Sequence, residues 1–145
     1  MRKKQKPYVK RVLFNASVIL AGLKSPRGGS GKVLRWAKER RIIGLVSEII
    51  LDEAERNLIK LGLTKKQLRE LENIFVPVLP APKAYEVRKF GKIVMDLGDA
   101  HVLASARQSK ADFLVSLDKK HILGLRGKIK DFKIVSPGEL ITAFK

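Results

Sequence analysis

Two carboxylates three residues apart, Asp96 and Asp99, open an apolar segment in which Asp99 falls at helical spacing from Leu103 and Ala106. A surface helix turns its acids to water and its apolar stripe to the core. An ionised carboxylate on that stripe is costly unless a cation or a hydrogen-bond donor compensates it. Taken alone, the pair reads as a helix start, with Asp96 as N-cap and Asp99 as an N3 charge near the positive end. Other acids are placed the same way. Glu53 lies in the segment after the apolar run 42–46, at the margin of a stripe that continues through Ala54, Leu58 and Leu61. Asp118 closely follows the apolar run 113–115. Singly, Glu53 is an ordinary acid beside Asp52 and Glu55, and Asp118 passes for an N-cap. Together, a chain short of acids has placed one near the head of three successive helices. Converging carboxylates are hard oxygen ligands suited to Mg²⁺ or Mn²⁺. In a basic chain, the use of such ions is to activate water for attack on a phosphodiester.

The elements that must position these groups follow from periodicity and caps. Residues 11–14 read as a short buried strand ending at Asn15, and 16–23 as a short helix. Residues 25–29 form a loop by turn chemistry, and Ser30 is expected to cap a helix to about Arg40, with the facing of Trp36 undecided. A second strand spans 42–46, and Ser47 caps a helix to about Leu61. Thr64 and Gln67 have capping-box spacing for a helix to about Phe75. The Pro-rich piece 76–82 holds a short strand at 76–79, and 84–94 carries no clear pattern. The helix opened by Asp96 and Asp99 runs to about Ser109. Strand 113–116 is followed by a short helix from Asp118 to about Leu125, then strand 133–135. Ser136, Pro137 and Glu139 start a final helix to Phe144. Short apolar strands alternating with helices imply an α/β fold: a parallel sheet covered on both faces. In such sheets the ligand crevice lies beyond the carboxyl ends of the strands. That places Asn15, Asp118 and Glu53 near one another.

Composition narrows the partner. The 145 residues suit one domain, with a basic arm over 1–10 and the domain over 11–145. The 31 Lys and Arg against 14 Asp and Glu give a net charge of +17. Positive charge on that scale attracts polyanions by steering and by counterion release. RNA or DNA is favoured over an anionic membrane surface. A thermophile's lysine-rich surface would bring glutamate with it, and here the acids do not keep pace. Cysteine is absent, which excludes a thiolate zinc site and a disulfide framework. No apolar run approaches the ~18 residues of a membrane span. The expected setting is cytoplasmic, away from membranes.

Four stretches, Val12 to Leu20, Ser47 to Glu53, Asp96 to Ala106 and Phe113 to Asp118, resemble the successive signatures of PIN-domain ribonucleases, a family that includes the toxin halves of VapBC toxin–antitoxin pairs. The stretch Lys133 to Leu140 resembles that family's closing strand and helix. The resemblance implies a three-layer α/β/α sandwich with a central parallel sheet, an acidic pocket for one or two divalent ions, and endonucleolytic cleavage of RNA. Carried over, the four acidic positions fall at Asn15, Glu53, Asp99 and Asp118, with Asp96 a fifth acid beside them. Ser17 and Ser116 match small hydroxyl positions that support the first and fourth. The family also implies a homodimer, and a toxin requires an antitoxin partner.

Asn15 departs from the family's Asp and offers a neutral carbonyl oxygen in place of a carboxylate. Three readings stand: a natural variant that still cuts, a natural pseudo-enzyme that binds RNA, or a substitution that silences a toxic nuclease. The run 28–32 suggests a phosphate loop, but that pattern needs Gly at Pro26 and Ser or Thr at Val33. It reads instead as a loop and a capped helix, with Arg27 and Lys32 available to RNA phosphate, as are Lys119 and Lys120. His101 and His121 lack zinc-ligand spacing, although His121 falls near the expected pocket. The arm with Tyr8 is equally a backbone tracker or a tail.

Overall fold

The computed structural model describes residues 8–75 and 77–144. Among them, four short strands form one parallel sheet: β1 (Arg11–Phe14), β2 (Ile43–Leu45), β3 (Phe113–Val115) and β4 (Lys133–Val135), in the order β2-β1-β3-β4. In register, Leu13 stands opposite Leu45 on one side and Leu114 on the other, and Leu114 opposite Ile134. Val12, Leu13, Phe14 and Leu114 are fully buried, as strands covered on both faces must be.

Seven helices wrap the sheet: α1 (Ala16–Lys24), α2 (Gly29–Lys38), α3 (Glu48–Asn57), α4 (Lys65–Glu72), α5 (Ala84–Phe90), α6 (Leu97–Gln108) and α7 (Pro137–Ala143). α2 packs against both α1 and α7, while α5 packs on α6. This is the expected three-layer α/β/α sandwich. The caps read from sequence are in place at four helices, with Asp96 capping α6. Ser47 Oγ accepts from the N–H of Ile50, and Thr64 and Ser136 each complete a capping box, with Gln67 and Glu139. The unpatterned piece forms α5, which turns Val87 and Phe90 inward. Trp36 is buried, its ring 5.6 Å from that of Phe144 and 4.8 Å from the Arg41 guanidinium.

Three expectations are corrected. Ser30 does not cap α2: the helix starts at Gly29 behind Gly28, and Ser30 is buried inside its first turn against α1. The expected strand at 76–79 shrinks to a single parallel bridge between Ser47 and Leu79, with Val76 outside the described residues. Pro77 and Pro80 flank that bridge and have no N–H to extend a ladder. The helix expected from Asp118 is a turn followed by one 3₁₀ turn at Leu123–Leu125. Of the basic arm, residues 1–7 lie outside the described residues. Tyr8 donates its hydroxyl to Asp112, and the carbonyl of Lys10 accepts from the N–H of Ile43.

Of the glycines in the 28–32 run, Gly31 is the one that packing requires, as it requires Gly22 in α1. A methyl group on Gly31 would collide with the carbonyl and Cα of Pro26, and one on Gly22 with Leu34. Gly29 has room, its Cβ position lying 3.6 Å from Pro137 Cβ. Gly31→Ala is therefore expected to destabilise the fold by about 2–3 kcal/mol, because rigid backbone has to move. Gly29→Ala should be nearly neutral. Urea melts of the two variants check the contrast.

Candidate functional site

The sheet order places a topological switch point at the carboxyl ends of β1 and β3, because the chain leaves β1 toward β2 and leaves β3 toward β4. Asn15 follows β1, and Ser116 to Asp118 follow β3. The N–H of Asn15 donates to the Val115 carbonyl at 3.0 Å, carrying the β1–β3 pairing one step past the strands. Asn15 Nδ2 then donates to Ser116 Oγ at 2.9 Å. Both residues are buried. The Asn15 amide is thus tied to the turn after β3.

Two hydroxyls fix the turn after β3. Ser116 Oγ accepts from the N–H of Asp118 at 3.0 Å, and Ser17 Oγ accepts from the N–H of Leu117 at 3.1 Å. Asp118 Oδ1 accepts from the N–H of His121 at 2.9 Å, which closes the turn. Asp99 occupies the first turn of α6, whose N-cap is Asp96, with Asp96 Oδ1 accepting from the N–H of Gly98 at 2.7 Å. Glu53 projects from α3.

Asn15, Ser17, Glu53, Asp99 and Asp118 line one hollow of about 320 Å³. Asp96 is outside that lining but close enough to act electrostatically on Glu53 and Asp99. Lys119 and Lys120 follow Asp118 directly and are exposed. Arg27 and Lys32 are exposed at the α1–α2 junction, and neither lines the hollow; Lys32 Nζ lies 5.8 Å from the Trp36 ring centre. A second groove, of about 390 Å³ and flanked by Leu23, Leu34 and Leu71, holds none of the acidic constellation.

Sequence reasoning did not single out Asn57 and Lys60, which also line the acidic hollow. They follow Glu53 at four and seven residues, so the helical spacing already put them on its face. His121 brings Nδ1 to 3.5 Å from Asp99 Oδ2, whereas His101 keeps Nδ1 buried without a hydrogen-bond partner.

The electrostatics follow from crowding like charges. Burial raises the Glu53 carboxyl above its ordinary pKa, and Asp99, Asp96 and Asp118 push it further, against the pull of Arg56. Burial also raises Asp99, with Asp96 and Asp118 adding to it and His121 opposing. Among the described residues, no three Asp, Glu or His side chains stand close enough to grip a bare ion between them. A raised carboxylate pKa means that ionisation costs stability at neutral pH. That cost disappears as pH falls through the raised value toward the unfolded one. In chelator at pH 7, Asp99→Asn is expected to melt above the parent, because the variant carries no charge to desolvate. The gap should close as pH is lowered toward 4, and a parent more stable than the variant at pH 7 would contradict the account.

A family model described as a PIN domain matches residues 11–120. No curated protein sequence matches the chain significantly. Among solved structures, the chain resembles PAE2754 from Pyrobaculum aerophilum with a TM-score of 0.65 and 22% identity, over 93% of this chain and 88% of that one. It also resembles VapBC2 from Rickettsia felis, solved with a DNA fragment from its promoter, at TM-score 0.61 and 14% identity, over 87% and 98% of the two chains. FitAB bound to the IR36 DNA fragment follows at 0.52 and 16%, over 87% and 94%. These likenesses are likenesses of fold. With more than two thirds of its length matched by the family model, the chain belongs to the PIN domain family.

Proposed function

We propose that this protein is a metal-dependent endoribonuclease of the VapC-like kind, hydrolysing RNA phosphodiesters in the acidic hollow. The observation that carries the reading is that Asn15, Glu53, Asp99 and Asp118, distant in sequence, line one hollow in a chain of net charge +17. The overall charge attracts a polyanion while the hollow repels it. A divalent cation reconciles the two. The donor set fits one: all four groups offer hard oxygens, and Mg²⁺ keeps several waters while taking one or two carboxylates directly, which suits a pocket too open to grip a bare ion.

Glu53, Asp99 and Asp118 would hold Mg²⁺ or Mn²⁺, with Asp96 nearby and the Asn15 carbonyl oxygen as a neutral fourth group. When bound, such an ion supplies charge neutralisation at the phosphate and a lowered pKa for water. The chain supplies the positioning. Ser17 and Ser116 lock the turn that carries Asp118, and Ser116 also fixes the Asn15 amide. Lys119 and Lys120, with Arg27 and Lys32 farther out, would hold the strand by its phosphates, so binding is expected to weaken steeply with salt. A VapC-like toxin needs a neutralising antitoxin, and we propose one as a partner, together with a homodimeric state. The solved neighbours include VapBC2 and FitAB assemblies, both bound to DNA fragments.

A second reading, an RNA-binding protein with an impaired site, is favoured by one observation. The first acidic position is a neutral Asn already engaged by Ser116. Cleavage of a mixed single-stranded and hairpin RNA pool with Mn²⁺ or Mg²⁺ separates the two. The nuclease reading expects cutting that chelator stops and that Asn15→Asp increases. Asp99→Asn should cost more than the ~10–100-fold typical of losing an outer-shell partner. Tight RNA binding by the parent and by Asn15→Asp, with no cutting by either, would instead establish the binding protein. A thermal melt gives a readout independent of turnover: Mn²⁺ should raise the Tm of the parent and leave that of Asp99→Asn unmoved.

A further inference from the structure

The acidic hollow does not end at Lys60. It runs on into a second hollow of about 420 Å³ over α1, and the two share Ser17, Leu20 and Leu61 in their walls. The charge changes sign along the way. Glu53, Asp99 and Asp118 line the sheet end, Lys60 stands in the wall of that first hollow, and Lys24 lines the second, which has no acid in its lining. Lys24 lies in the last turn of α1, and its Nζ donates to the Leu61 carbonyl at 3.1 Å. That contact uses one of three ammonium donors and leaves the others free. Among the described residues, neither Lys24 nor Lys60 is paired with a carboxylate.

We propose that Lys60 and Lys24 form a phosphate track that leads a single RNA strand out of the acidic hollow and over α1. This rests on the nuclease reading of that hollow. An isolated anion would need only one end of the groove, whereas a strand has phosphates to set against both lysines while another lies at the carboxylates. Leu20, Ala21 and Leu61 give the groove an apolar wall for sugar and base, and Ser17 and Ser25 add hydroxyls. A duplex is a poorer match, because the groove offers one line of cations rather than two.

The test is fluorescence anisotropy of the full chain with a labelled single-stranded RNA oligonucleotide in EDTA, titrated at several salt concentrations. Lys60→Met and Lys24→Met are each expected to weaken binding about five- to tenfold and to lower the salt slope by about one. Lys24→Arg keeps the charge and the reach to Leu61, and should restore both. Lys128→Met, outside the groove, should leave the affinity loss and the slope change small. Unchanged slopes in the folded Met variants overturn the track. If polyglutamate displaces the RNA and its binding falls as far in the Met variants, the groove takes an acidic protein chain and the track is likewise overturned. Metal-dependent cleavage lost in Asp99→Asn, with unchanged slopes in the lysine variants, removes the track and keeps the nuclease. Lower slopes with no cleavage by any form keep the track and remove the nuclease.

Discussion

Repulsion among like charges sets the terms on which this molecule is built. Glu53, the Asp96–Asp99 pair and Asp118 come from three separate stretches of a chain that has only 14 acids in all, yet they act on one another at the carboxyl end of one sheet. Left alone, such groups would separate into solvent. They are held by structure that is stable for other reasons: capped helices, a buried parallel sheet, and two serine hydroxyls that fix the turn after β3. The scaffold therefore stores an unfavourable interaction at one place. That place is where a cation has most to offer, since it removes the repulsion.

Asn15 changes this balance without changing the geometry. Its backbone continues the β1–β3 pairing and its amide reaches Ser116, so the residue remains part of the frame. What it lacks is a charge. A neutral oxygen at the switch point lowers the repulsion that the remaining acids feel and weakens the pull on a divalent ion by the same physics. Backbone geometry and site charge are thus separable at this position.

Much of the architecture was legible because its signals are local. Ser47, Thr64 and Ser136 announce their helices by cap chemistry, and β1 and β3 are short apolar runs that two covered faces require. The misreadings have physical causes. Ser30 looks like a cap, but tertiary packing draws it into α2 beneath α1, and Gly28 takes the cap position. The piece around Leu79 is apolar enough for a strand, yet its prolines leave one bridge. Asp118 has the side chain of an N-cap and does accept from a backbone N–H three residues on, but only a turn follows. In the site, carboxylates stood out because acids are scarce. Lys60 and Lys24 did not, because in a chain with 31 basic residues only the fold can single out two.

The hydrogen bond between Asn15 and Ser116 spans 101 positions of sequence. A chain is made from its amino end, so α1 to α6 are all synthesised while β1 lacks its β3 neighbour and the hollow lacks a wall. Contacts this distant are slow to close, because the intervening loop loses its freedom before the strands gain their pairing. Assembly of the pocket is thus tied to synthesis of β3 and its turn: a ribosome that stalls before β3 releases a fragment with part of the acidic set and no complete hollow. This order of events delays the meeting of Glu53, Asp99 and Asp118 until β3 and the turn after it have been made.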